Sequence, residues 1–398
     1  MVNKRILFIS GSFGLGHVTR DLAIAKELRK RNPRIEISWI ASEPASSFLA
    51  NAKEKMHPAS KEWANENITA ENAARGNQLN LIRYLLMARD QWAHNADVFK
   101  RIMHEESFDL AIGDETYEII TALKRQPEIK KMPFVMIYDF IGSYAMTKSP
   151  IENFVAYYWN RFWSKDPHKE SHVDMRLFVG ELEDIPDTKF GFLLPRRRDW
   201  AEKKCKFLGY VLQFDPGKYR DKKKIRAELG YGKEPLIVSS IGGTAIGKEL
   251  LNLCAQSYTI VKEKIPSLRM VLVCGPNIAT EGLKVAQGIN VKGYVPKLYE
   301  HFAASDLSIV QAGGTTTIEL TALKTPFLYF PIIEHSEQRI CVSYRLVRHK
   351  AGVRMEYSET TPESLADAIL QNIGKNVDYA DIPTNGAQKA AELVSRLL

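Results

Sequence analysis

Short apolar, β-branched runs alternate with helical patterns along the whole chain. This is the pattern of parallel sheets whose strands are joined by crossover helices. In the first half the strand-like runs fall at Arg5–Ser10, Ile35–Ala41, Asp109–Gly113, Phe134–Phe140, Met175–Val179 and Lys206–Tyr210. The second half repeats the rhythm at Leu236–Ile241, Arg269–Cys274, Asn290–Val295, Leu307–Gln311, Pro326–Phe330 and Gly352–Met355. Helical spacing fills the gaps, as in Val18–Lys30, where Leu22, Ala25 and Leu28 share a face. The expected fold class is therefore α/β, with two Rossmann-like doubly wound domains.

The rhythm breaks once. Gln213–Lys224 is polar and punctuated by Pro216-Gly217, which sets a domain boundary near residue 210. The expected domains are residues 1–210 and 211–384. The tail, 385–398, has helical spacing and no strand of its own to cover, and is expected to pack back across the domain junction. Doubly wound sheets bind ligands beyond the carboxyl ends of their strands. Two such sheets facing each other would enclose a cleft.

The 398 residues exceed what one core usually holds, and 45% hydrophobic with 26% charged is ordinary for a globular chain. No apolar run approaches the length of a membrane span. Lys4-Arg5 precedes the apolar Ile6–Ile9, but Ser10-Gly11 ends that run, so it reads as a buried strand and not as an export signal. Four dispersed cysteines without a Cys-x-x-Cys pair argue for a reducing compartment and against structural zinc. The cytoplasm is the expected location. Fifty-five basic against 47 acidic residues leave a net charge of +8, too small an excess to imply nucleic acid. The excess is clumped at Pro195–Arg198 and Lys218–Arg226. Such runs are usually solvated faces, and an anionic membrane surface is the alternative partner.

Chemistry gathers where strands end. The first strand runs into Gly11–His17, where Gly14 and Gly16 lie in a loop that opens a helix. Its spacing matches neither the dinucleotide fingerprint nor a phosphate loop. His17, at the helix start, has a side chain suited to proton transfer near neutrality. The plainer reading is a histidine that caps the helix. Phe108–Glu115 reads as a strand ending in acids, placing Asp114 where it can orient His17, with Glu115 in competition. The plainer reading of Asp114 is a helix N-cap.

In the second half, Leu236–Ile241 opens into Gly242-Gly243-Thr244, a glycine-rich anion loop. Leu307–Gln311 opens into Ala312-Gly313-Gly314-Thr315-Thr316-Thr317. Two glycines and three hydroxyls at a helix N-terminus suit a diphosphate. Glu319 lies a turn further on, where a carboxylate can accept both hydroxyls of a ribose. Glu337-Gln338 follows the next strand and suits sugar hydroxyls. No Asp-x-Asp occurs, so no bridging metal is indicated and no cofactor is expected beyond a nucleotide-sugar co-substrate.

These residues resemble the inverting, metal-independent GT-B glycosyltransferases, especially the peptidoglycan lipid N-acetylglucosaminyltransferases (MurG-like) and the small-molecule UDP-glycosyltransferases. Gln311–Glu319 is similar to their donor signature His-Cys-Gly-Trp-Asn-Ser-Thr-x-Glu. The resemblance implies that Thr315 and Thr316 meet phosphate, Glu319 the ribose and Val295 the base. It further implies that Glu337 and Gln338 grip the donor sugar. The chain departs from the pattern at Gln311, Lys297 and Cys341. On this resemblance the first domain binds acceptor and the second a nucleotide sugar, expected to be UDP-linked, with His17 as general base.

The acceptor is expected to be a small molecule or lipid-linked. Phe154–Lys165 and Leu79–Met103 (with Leu81, Leu85 and Trp92) are the candidate acceptor walls or membrane-facing surfaces, against ordinary core packing as the plainer reading. Three rival functions remain. A nucleotide-sugar hydrolase or epimerase of the same fold would consume donor without acceptor. A non-catalytic nucleotide-sugar-binding subunit would have no need of a base at residue 17. A nicotinamide or flavin enzyme would need glycine spacings that neither loop has.

Overall fold

The computed structural model describes residues 3–11, 13–164, 172–280 and 285–398, with the backbone alone at Leu81. Ser12 in the first glycine loop and Lys165 at the end of the aromatic stretch lie outside the described residues. The chain divides into two compact units. Unit 1 holds residues 1–73, 80–213 and 383–398; unit 2 holds 74–79 and 214–382.

Unit 1 is built on strands β1 (Lys4–Ile9), β2 (Ile35–Ile40), β5 (Leu110–Asp114), β6 (Phe134–Tyr138), β7 (Met175–Phe178) and β8 (Lys206–Phe207). They form one sheet in the order β2-β1-β5-β6-β7-β8, parallel throughout. Successive side chains of a strand leave on opposite faces. Ile6 and Phe8 of β1 therefore enter one core and Leu7 and Ile9 the other. Covering both faces is why the strands read as continuous apolar runs. The helix Gly386–Ser395 places Ala387, Ala390, Ala391 and Val394 in the same core as Val18 and Leu22 of helix Gly16–Arg31. The carboxyl-terminal segment is thus part of unit 1.

Unit 2 repeats the plan with β9 (Leu236–Ser240), β10 (Arg269–Val273), β11 (Ile289–Lys292), β12 (Leu307–Gln311), β13 (Phe327–Phe330) and β14 (Val353–Arg354). Their order is β11-β10-β9-β12-β13-β14, again all parallel. Ile237 faces one core and Val238 the other. The two remaining strands, β3 (Ala74–Arg75) and β4 (Gln78–Leu79), form a small antiparallel hairpin from the first half of the chain. It joins unit 2 through Ile333, whose N–H donates to the Asn77 carbonyl at 2.9 Å and whose carbonyl accepts from Leu79 N at 3.1 Å.

Each sheet changes winding direction once, between β1 and β5 in unit 1 and between β9 and β12 in unit 2. These switch points leave a crevice at the carboxyl edge because the two flanking loops turn apart.

Candidate functional site

The unit 1 switch point brings together His17, Arg20, Asp114 and Asp139. Ile9 of β1 lies beside Gly113 of β5, so the loop after β1 and the end of β5 meet. His17 is the second residue of helix Gly16–Arg31, and Asp114 closes β5. His17 Nδ1 lies 3.2 Å from Asp114 Oδ2. Arg20 comes one turn after His17, on the same helix face. Its Nε donates to Asp114 Oδ2 at 2.7 Å and a terminal nitrogen to Oδ1 at 2.5 Å. The same guanidinium also reaches Asp139, just beyond β6, and stands 2.8 Å from His17 Nδ1. Asp114 is 0% exposed and Arg20 4% exposed.

Glycine is required at position 11 by close approach. A Cβ there would lie 2.9 Å from the Asp114 carbonyl oxygen and 3.1 Å from the His17 ring. Gly14 adopts a positive φ of 74°, and its N–H donates to Asn67 Oδ1 at 2.7 Å. Asn67 thereby ties the loop to the body of the unit. Gly16 begins the helix.

Burial opposes ionisation of Asp114, yet Arg20 and His17 hold its carboxyl well below the usual carboxylate range. For His17, burial works against the imidazolium and Arg20 adds to that, but Asp114 prevails and the pKa is raised. Glu115 takes a separate part. Burial and the neighbouring Asp139 push its carboxyl well up, and its Oε1 accepts from Asp139 N at 3.3 Å. Asp114 is a strand residue, and the next helix is preceded by Thr116, so Asp114 is not an N-cap. The arrangement can accept a proton at His17 and stabilise the cation that forms. Sequence reasoning missed Arg20 and Asp139.

The unit 2 switch point assembles the second set. Ser240 of β9 pairs with Val310 of β12, and Gln311 with Phe330 of β13. The loops carrying Gly242, Gly243 and Thr244, then Gly313 to Thr316, then Glu337 and Gln338, therefore share one edge. Gly313 precedes the helix Gly314–Leu323. Thr315 and Thr316 are half-buried in its first turn, while Thr317 bonds back to the Gly313 carbonyl at 2.9 Å. Glu319 is 7% exposed. Burial pushes its carboxyl up to about 8.

Two of the expected donor-side residues are engaged within the protein. Gln311 gives its amide to the Ile246 carbonyl at 2.5 Å, which fastens the loop after β9. Gly247 (φ 81°) allows this, since a Cβ there would lie 2.0 Å from Gln311 Nε2. Gln338 uses its side-chain carbonyl to accept from Ile332 N at 3.0 Å, leaving its amide donors. Thr244 is buried. Glu337 is half-buried and starts a π-helical segment, Glu337–Val342, a feature frequent at functional sites. Val295 is half-buried after β11 and packs against the core.

Residues 237–397 match the glycosyltransferase family 28 C-terminal domain. An uncharacterized glycosyltransferase of Methanopyrus kandleri is 24% identical over 48% of this chain, a match spanning about half (54%) of that relative. A UDP-N-acetylglucosamine–N-acetylmuramyl-(pentapeptide) pyrophosphoryl-undecaprenol N-acetylglucosamine transferase of Acetivibrio thermocellus is 22% identical over 98% of both chains. Among solved structures, the kitacinnamycin glycotransferase aligns over 100% of both chains with a TM-score of 0.65 and 14% identity. MurG of Acinetobacter baumannii aligns over 99% of both chains with a TM-score of 0.56 and 14% identity. Residues 237–397 are thus similar to the glycosyltransferase family 28 C-terminal domain, and the two parallel-sheet α/β units have the GT-B glycosyltransferase fold.

Proposed function

We propose that the protein moves a sugar from a nucleoside-diphosphate sugar, UDP-linked, to an acceptor hydroxyl, inverting the anomeric configuration without a divalent metal. The observation that carries this reading is the His17–Asp114 pair at a switch point, with Asp114 kept ionised by Arg20. Nδ1 lies between Asp114 at 3.2 Å and the Arg20 donor at 2.8 Å; with its proton turned to Asp114, Nε2 keeps its lone pair. That nitrogen removes the acceptor proton as the oxygen attacks the anomeric carbon. The bond to the β-phosphate breaks and its electron pair leaves with the nucleoside diphosphate. The helix N-terminus at Gly314, with Thr315 and Thr316, faces that developing charge. Glu319 accepts the ribose hydroxyls.

The UDP-linked donor is supported by the name of the Acetivibrio thermocellus relative, which also specifies an undecaprenol-linked acceptor. A lipid-linked acceptor fits an exposed apolar stripe on unit 1. Ile151, Phe154 and Tyr158 recur at helical spacing along Pro150–Ser164, each about two-thirds exposed. Phe192 and Leu193 are exposed beside them, where Tyr157 donates to the Phe192 carbonyl at 3.3 Å. Arg161 of the same helix adds an exposed cation, whereas Arg197 is buried against backbone carbonyls. No helix among the described residues is long and apolar enough to cross a membrane, so the contact proposed is a peripheral one.

Calorimetric titration with nucleoside diphosphates tests the donor half. UDP should bind the wild type, and Glu319→Ala should bind it at least tenfold more weakly. Failure of every nucleoside diphosphate to bind would remove the reading. Donor consumed with no acceptor present would favour a hydrolase, and loss of activity with a chelator would overturn the metal-independent mechanism.

A further inference from the structure

A second site lies within unit 1. A cavity of ≈ 50 Å³, open to solvent, is lined by residues of helices Tyr117–Arg125, Pro150–Ser164 and Arg197–Lys204 and by Arg176 of β7. Its hydrogen-bonding wall is rich in donors, with Tyr117, Tyr138 and His172 able to donate or accept. Lys124, Arg176 and the indole of Trp200 can only donate, and no carboxylate occurs among the described residues of the lining. Trp200 is 7% exposed. Its indole nitrogen and the Tyr117 hydroxyl are buried without a hydrogen-bond partner. Leaving such groups unpaired is costly, so an entering acceptor gains from both. Arg176 donates to the Val173 carbonyl at 3.5 Å and lies against Tyr138.

The rest of the wall is mostly aromatic, with Ile120 and Val173 between the rings. Trp163 stands 5.0 Å from Tyr138 and 5.8 Å from Trp200, ring centre to ring centre. The Lys124 ammonium sits 3.8 Å above the Phe162 ring. Two cations, two unmet polar groups and a ring-lined mouth are complementary to an anion attached to something apolar. The enclosed volume admits a head group and not a whole ligand.

We propose that this cavity binds the anionic head, a carboxylate or a phosphate monoester, of a ligand whose aromatic or apolar body rests on the surrounding rings. The site makes no use of His17 and belongs to a different unit from the nucleotide loops, so it stands whether or not the proposed transfer reaction does.

Trp163 and Trp200 give the test its signal. The wild-type protein is titrated with benzoate, phenyl phosphate and the neutral benzyl alcohol while tryptophan fluorescence is followed. At least one anion should quench saturably, with benzyl alcohol at least tenfold weaker, about 1.4 kcal/mol. Saturation by benzoate alone identifies a carboxylate ligand, and by phenyl phosphate alone a phosphate. Lys124→Gln and Arg176→Gln should each weaken the anion about tenfold, with circular dichroism confirming that both fold. Equal binding of benzyl alcohol, no saturable quenching by either anion, displacement by UDP, or unchanged affinity in both variants would overturn the proposal.

Discussion

Arg20 grips the Asp114 carboxylate with two hydrogen bonds, at 2.7 and 2.5 Å, in a place where Asp114 has no exposure to water. The same guanidinium faces His17 Nδ1 at 2.8 Å. Arg20 therefore does two opposed things. It keeps Asp114 charged, which favours the His17 cation, and it adds a positive charge that disfavours it.

Replacing Arg20 removes both effects at once. Arg20→Gln leaves a buried carboxylate without its counter-ion, a loss that typically costs about 3–5 kcal/mol. Denaturant unfolding should show a fall of that order. His17 must be neutral to accept a proton, so activity falls below its pKa. With Asp114 still ionised beside the imidazolium, removing the Arg20 charge raises that pKa further, and the acid limb of the pH–rate profile should move to higher pH. Unchanged stability would contradict the buried pair.

Glu319 carries a pH signature. Its carboxyl titrates at about 8 against an ordinary 4.5. A raised carboxyl pKa contributes stability that is fully present below the ordinary value and is lost as pH rises through the folded value. The melting temperature of wild type should therefore fall relative to Glu319→Gln between about pH 5 and 9. If ribose hydroxyls donate to the carboxylate, UDP binding at pH 7 releases a proton from wild type and none from Glu319→Gln. Calorimetry in two buffers of different ionisation enthalpy reads that proton. Equal proton release by both proteins would detach Glu319 from the nucleotide.

The exposed stripe on Pro150–Ser164 is tested with vesicles. Phe154→Asp combined with Leu193→Asp should reduce co-sedimentation with vesicles containing anionic lipid, because both side chains are largely exposed and their loss leaves the core intact. Melting temperature should stay within a degree or two. Undiminished sedimentation would assign the stripe to another partner.

Both six-stranded sheets were legible as apolar runs, because strands covered on two faces leave few polar positions to blur the pattern. Asp114 was legible because the strand ends on it. Arg20 was not, since an arginine inside an amphipathic helix reads as a surface residue. Its spacing of three from His17 was the available signal. Asp139 sits inside the run Phe134–Phe140, which reads as strand to its end, whereas β6 stops at Tyr138. The hairpin at Ala74–Leu79 carried no signal, as two-residue strands have no periodicity. Gln311 stands in the donor-signature stretch, and its loop-fastening bond to Ile246 spans 65 residues and depends on the tertiary fold. The aromatic cavity likewise draws on helices far apart in the chain.

His17 is the proposed base, and the nucleotide is proposed to be held by the loops of unit 2. The most direct measurement is turnover of UDP-sugar with acceptor by His17→Ala, alongside its calorimetric affinity for UDP. A positioned base contributes about 10²–10⁴-fold to rate. The expected result is a loss of turnover of that size with UDP affinity within about twofold of wild type. Wild-type turnover in the variant, or turnover and UDP affinity lost together, would contradict the assignment.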